Sequence, residues 1–270
     1  MGEVFIVQRH ELSQHVWKRR AETVNDVAAS DTPVRMVYSL RFSPCNPRIL
    51  AKGRSMDMMR GFRYLFLFII ACVLVYAFRQ LVPEKPLVRA ISIGTAYMGL
   101  LYFAAALSIG PLNLILSRRN PVSSLLRRDL GIWAALLAIV HTLVGLQAHM
   151  GGRFIRYFIY PPGESHAIPF RTDAFGLTNY LGLICTFIMI ALLCLSNNRS
   201  LRMMGASSWK KWQRLTYFLA LAIPIHGLVY QLLEKRIGLY TVLLLAITLT
   251  VFAVQMSGFI KYQRIKTSRQ

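Results

Sequence analysis

The sequence predicts an all-α polytopic membrane protein, a bundle of six transmembrane helices, and three observations carry that reading. The chain of 270 residues is 55% hydrophobic and only 16% charged. Six stretches hold the roughly 20 mostly apolar residues that a helix needs to cross a bilayer. The connections between them carry turn chemistry, as in "VPEKP", "RRNPVSS" and "LSNNRS". The spans read as residues 62–82, 88–116, 130–149, 174–195, 215–233 and 239–260.

Residues 1–61 differ in character from the rest of the chain. They are polar and lack the 7–15-residue apolar core of a signal peptide. They read either as a basic cytoplasmic tail or as an upstream extension of the gene model. "MDMM" sits directly before the first span, which makes Met56, Met58 or Met59 a candidate start. Residues 261–270 read as a second, C-terminal cytoplasmic tail.

A net charge of +21 would suggest nucleic acid as the partner of a soluble protein. In a membrane protein the distribution decides instead. Of the 32 Lys and Arg, 24 fall on one face of the predicted topology, among them Arg118, Arg119, Arg127, Arg128, Arg199, Arg202, Lys210, Lys211 and Arg214. The positive-inside rule then puts both termini in the cytoplasm, with membrane lipid and not nucleic acid beside the basic face.

The spans are informative in what they lack. No acidic residue falls inside one; Asp129, Asp173 and Glu234 sit at ends. Ion-coupled transporters usually keep a carboxylate in the membrane, so the pattern argues against that class. Cys72, Cys185 and Cys194 lie inside spans as small apolar groups, and the chain has neither C-x-x-C nor C-x-x-C-H. Pro224 is expected to bend the fifth span. The longest outer loop, 150–173, is rich in aromatics that suit a membrane interface, and Pro161-Pro162-Gly163 excludes a helix through it.

Two histidines stand inside the apolar runs: His141 in "LLAIVHTLVG" and His226 in "LAIPIHGLVY". Each comes 12 residues after its span leaves the basic face, near Asp129 and Arg214 respectively. At 1.5 Å per residue both lie about 18 Å into the bilayer, on helices that run the same way. Two imidazoles at one depth can supply the two axial ligands of a haem iron. The alternative is that each donates to a backbone carbonyl or a Ser/Thr in a helix contact. His149, at the outer interface, and His10, His15 and His166 receive no role.

The residues around these histidines carry a resemblance. "ALSIGPLNLI" closes the second span, "RRDLGIWAALLAIVH" leads to His141, and "GASSWKKWQRLTYFLALAIPIH" leads to His226. In that order and spacing the chain, over about residues 62–260, resembles the ferric reductase-like transmembrane domain family. Within it, the likeness is to the haem-binding membrane subunits of bacterial periplasmic methionine sulfoxide reductase systems. The resemblance implies that His141 and His226 ligate a b-type haem in the cell inner (plasma) membrane. It implies electron transfer from a separate donor, a flavin reductase or a quinol, to a redox acceptor protein at the outer face. Gln213 stands where the family has a further histidine, which leaves one haem as the expectation. An FMN or quinone near Arg127, Arg128, Arg214 and Trp212 could then bridge the gap from the donor, although snorkelling explains those arginines equally well. No G-x-G-x-x-G follows a strand, so no NAD(P)H- or FAD-binding module is read in this chain. A non-redox scaffold or transporter built on the same bundle is the competing reading, and a haem-based quinol oxidoreductase is a third.

Overall fold

Turn and cap residues set the helix ends in this chain. The computed structural model describes residues 47–81, 86–118, 121–148, 150–164, 166–235 and 237–268. Among them are seven α-helices: α1 (Pro47–Leu81), α2 (Leu87–Ile115), α3 (Pro121–Ala148), α4 (Ala174–Leu195), α5 (Asn198–Gln213), α6 (Leu215–Leu233) and α7 (Leu239–Thr267). Pro121 opens α3 at the position where a missing N–H costs nothing. Asp173 caps α4 by accepting from the Gly176 N–H, and Asn197 caps α5 through the Ser200 N–H. No β-strand forms among the described residues.

Six helical stretches are long and apolar enough to cross a membrane: Met58–Gln80, Leu87–Ile115, Leu125–Ala148, Ala174–Leu195, Asn198–Leu233 and Leu239–Thr267. The all-α six-helix expectation therefore holds. Several boundaries differ from it. α3 begins at Pro121, nine residues before the apolar run that predicted it, because Leu125–Asp129 continue the helix as a polar turn. Residues 198–213, read as a loop, form α5, a basic helix with no buried residue and a break at Gly205. α6 runs through Pro224 as one helix from Leu215 to Leu233. The tail through residue 46, with His10, His15 and Cys45, and the outer His149 fall outside the described residues.

The packing is a ring. α2 lies against α3, α3 against α4, α4 against α6, α6 against α7, and α7 back against α2. Small residues make the closest seam: Gly99 on α2 faces Ala134, Leu137 and Ala138 on α3. Pro111 interrupts α2 and deprives the Leu107 carbonyl of its helical donor. Gln255 of α7 fills that vacancy, its Nε2 donating to Leu107 O at 3.0 Å. Lys261 of α7 donates to the last α2 carbonyl, Ile115 O, at 2.8 Å. α1 sits outside the ring against α2 and α3, with Phe68 beside Trp133 and the Leu67 carbonyl accepting from Tyr102.

The two ends of the ring are chemically unlike. One end gathers Arg60, Arg63, Arg127, Arg128, α5 and Lys261. At the other end residues 150–173 fold into a lid. Two short 3-10 turns, Met150–Gly152 and Phe154–Tyr157, lead to an isolated antiparallel bridge between Ile159 and Phe170.

Asp129 corrects the sequence reading. It is not at a helix end but a full two turns into α3, and it is 1% exposed. Its carboxylate is held by Arg63 at 2.9 Å and Arg60 at 3.5 Å, both on α1. A carboxylate does lie within the Leu125–Ala148 span, but two guanidiniums neutralise it.

Candidate functional site

His141 on α3 and His226 on α6 line one cavity of about 220 Å³ inside the ring. Each is seven residues before the end of its helix, so the two are level. That places them about 10 Å from the lid end at 1.5 Å per residue.

Both rings are anchored in the same way. His141 Nδ1 lies 2.9 Å from the Ser92 carbonyl on α2, and His226 Nδ1 lies 2.9 Å from the Thr178 carbonyl on α4. A carbonyl oxygen only accepts, so each Nδ1 carries the proton and donates it. In the neutral imidazole the lone pair is then on Nε2. Nε2 has no hydrogen-bond partner among the described residues in either ring. An Nδ1–H fixed by a backbone carbonyl, with Nε2 left unpaired, is the arrangement a ligating histidine requires.

The neighbouring helices make room for the rings at glycines. A Cβ on Gly182 of α4 would meet His226 Cε1 at 2.5 Å and Nδ1 at 2.9 Å. Any other residue there would displace the imidazole. Gly145, one turn beyond His141, faces Ser92 Oγ in the same manner at 3.3 Å.

Leu100, Phe103, Leu183, Met189, Ile223 and Leu244 supply apolar wall. The polar part lies toward the lid. Tyr230 donates to Asn179 Oδ1, and Asn179 Nδ2 donates to Phe175 O at 2.9 Å. Thr142 and Thr186 meet hydroxyl to hydroxyl at 2.7 Å between α3 and α4. No Lys, Arg, Asp or Glu is among the described residues that line the cavity.

The lid closes over the cavity through Tyr157, which the sequence assigned to a membrane-interface belt. It is 1% exposed, lines the cavity, and donates to Gly145 O at 2.9 Å. Tyr180 donates to the Phe158 carbonyl at 2.6 Å. Arg171 ties the lid base to the bundle, reaching Asp173 through Nη2 at 2.6 Å and the Arg156 carbonyl through Nη1 at 3.3 Å. That guanidinium holds the Asp173 carboxyl below its ordinary range, against the opposing effect of burial, and the Gly176 N–H adds to the depression.

Arg127, Arg128 and Arg214 are not at this cavity. Arg127 packs near Gly110, Arg128 donates to Asn198 Oδ1 at 2.8 Å, and Arg214 joins α5 to α6. All three belong to the opposite, basic end. Gln213 is the last residue of α5 there, with its carbonyl accepting from Thr216. The sequence reading found the two histidines but not their anchors, since Ser92 and Thr178 act through backbone carbonyls that any residue carries. Gly182, four residues after Thr178, was the one available signal, and only for the His226 anchor. Among the described residues no three of His, Cys, Asp and Glu come together as a metal site. Compared with known proteins, no family model matches the chain and no curated protein matches it.

Proposed function

We propose that this chain is a b-type haem-binding membrane subunit that passes electrons from a separate donor at the basic end to an acceptor at the lid end. One observation carries the reading. Two imidazoles on different helices face one apolar cavity at one level, each with Nδ1–H fixed and Nε2 open.

The donor set fits this group and fits a bare ion poorly. An electron-transfer haem takes two protein ligands, and the described residues offer two here, not the three or four of a protein-only metal site. When bound, haem supplies a one-electron couple between ferric and ferrous iron. His141 and His226 would be the two residues that hold the iron. Ser92 and Thr178 keep both rings in the ligating tautomer. Gly182 admits one ring, and the apolar wall excludes water. With both histidines as ligands the group would serve as an electron carrier and not as an oxygen binder.

The positive-inside rule gives the orientation in this reading: basic end in the cytoplasm, lid outside, in the inner (plasma) membrane. Arg127, Arg128 and Arg214 then belong to the donor side, where an FMN or quinone phosphate or carbonyl would find a cation. Arg128 precedes His141 by 13 residues of α3, about 20 Å along the helix. A second carrier on that side is consistent with such a gap. Tyr157 and Phe158 line the cavity from the lid, the side from which an outer acceptor protein would approach in this reading. The paired state of Asp129 weighs against the ion-coupled transporter.

The test is the dithionite-reduced-minus-oxidised visible spectrum of the purified protein beside His141→Ala and His226→Ala. About one low-spin b-type haem per chain, lost in both variants, is the expected result. Folded protein that takes up no haem would overturn the reading.

A further inference from the structure

α5 (Asn198–Gln213) is held at the boundary of the apolar bundle at its start, its middle and its end. Its N-cap, Asn197, follows the α4 span directly and donates Nδ2 to the Cys194 carbonyl at 2.6 Å. Arg128 of α3 reaches Asn198 Oδ1 at 2.8 Å. In the second half of the helix, Trp209 Nε1 donates to the carbonyl of Leu195, the last residue of α4, at 2.9 Å. At the far end, Arg214 leads straight into α6 at Leu215. Every anchor of α5 is therefore within a side chain's length of the end of a span.

The remaining surface of α5 is uncovered, since none of its residues is buried. It is also charged in one sense. Arg199, Arg202, Lys210, Lys211 and the adjoining Arg214 are cations, and no acidic residue occurs between Asp173 and Glu234. None of the five is in an ion pair among the described residues. Large apolar side chains stand among them: Met203 is 75% exposed and Trp212 51%. Arg202 and Met203 follow Arg199 by three and four residues, so all three share one face of the helix. Cations interleaved with exposed apolar groups suit a helix lying in the surface of a bilayer, where the charges meet phosphates and the apolar groups enter the acyl margin. The position decides the occupant, because the layer level with the span ends is the headgroup layer.

We propose that α5 is an interfacial helix that binds the headgroups of acidic phospholipids in the leaflet at the basic end. Arg199, Arg202, Lys210 and Lys211 meet the phosphates, and Met203 and Trp212 seat between the acyl chains. The inference is independent of the haem reading and applies to the protein with or without a cavity ligand.

The experiment follows amide hydrogen exchange of the full-length protein in nanodiscs of phosphatidylcholine alone or with about one-third phosphatidylglycerol. Both leaflets have the same composition, so the orientation of the chain does not enter. Exchange over Asn198–Gln213 is expected to be about tenfold slower in the acidic discs. At about 1 M salt, where charges are screened within a few ångströms, most of that difference should vanish. Residues 153–160 of the lid should exchange alike in both discs. In the combined variant Arg199→Gln, Arg202→Gln, Lys210→Gln and Lys211→Gln, α5 should exchange alike in both discs. These four side chains are exposed and make none of the anchoring bonds, so the helix keeps its anchors. Met203→Ser with Trp212→Ser should lose about threefold of protection in both lipids. Equal exchange of α5 in the two discs for the unaltered protein overturns the proposal and leaves its basic face to a soluble partner. A lipid difference that persists undiminished in the four-fold variant, or that is as large in the lid, overturns it too.

Discussion

The two ends of this bundle solve the problem of polar groups in an apolar setting by opposite means. The basic end uses full charges: Arg60 and Arg63 converge on Asp129, Arg128 reaches Asn198, and Lys261 caps α2. The lid half of the cavity uses dipoles: carbonyls hold the histidines, tyrosine hydroxyls hold carbonyls, and two amides fill the gaps. Charges suit an end where guanidiniums can reach water and lipid headgroups. Dipoles suit an enclosed interior, where a fixed charge would have to be desolvated. The difference teaches where to look for chemistry: the abundant charge in this sequence marks the anchoring end, and the sparse uncharged polar residues mark the site.

Substitution inside the cavity tests that division most strongly. Gly182→Ala puts a methyl where His226 now lies, at 2.5 Å from Cε1. Neither the ring nor the helix seam can yield without loss, and overpacking of this kind costs about 1–3 kcal/mol. Haem affinity is expected to fall about tenfold or more, with the chain still membrane-inserted. Unchanged haem content in the purified variant would mean that His226 is free to relocate.

At the basic end, Asp129→Ala should do the converse. It removes the carboxylate that Arg60 and Arg63 share, and a charged hydrogen bond to a buried group is worth about 2 kcal/mol. Partial exposure of both arginines keeps the loss from being larger. Thermal unfolding in detergent should move down, with α1 the first element to loosen. The reduced-minus-oxidised spectrum should keep its shape, since Asp129 does not line the cavity. A spectral change in Asp129→Ala would erase the distinction between the two ends.

Legibility in the sequence divides along the same line. α4 and α6 were readable to the residue, because apolar runs there end sharply at Asp173, Ser196, Arg214 and Glu234. α5 was not, because a helix of mostly polar residues with no buried face leaves no apolar period to detect. The level of the two histidines was legible from spacing alone. Their distance from the lid end was legible too, because the apolar runs stop within a residue of the ends of α3 and α6; the extension of α3 back to Pro121, toward the basic end, was not. Asp129 was misplaced because a charged residue before an apolar run resembles a helix end, whereas here its partners come from α1.

Smaller effects are expected in the lid. Tyr157→Phe deletes the bond to the Gly145 carbonyl while keeping the buried ring, for a loss of about 1 kcal/mol. Hydrogen exchange should quicken in residues 153–160 with haem affinity nearly unchanged. A large fall in affinity would make Tyr157 part of the site and not only its cover.

The smallest effect concerns pH. Asp173 has its carboxyl held below the ordinary range, first by the Arg171 guanidinium and then by the Gly176 N–H. A depressed folded-state value means that this carboxylate adds stability at pH above its unfolded value of about 3.9. The contribution is lost as pH falls through the lower folded value. Acidification from pH 5 toward 3 should therefore release the base of the lid, where Arg171 also holds the Arg156 carbonyl. Asp173→Asn should retain much of the α4 cap, because an asparagine oxygen can still accept from Gly176. It should also abolish the pH step in lid protection. The partly exposed setting of the pair keeps the effect small and sensitive to salt. A step that survives in Asp173→Asn would mean that the Arg171–Asp173 pair does not set it.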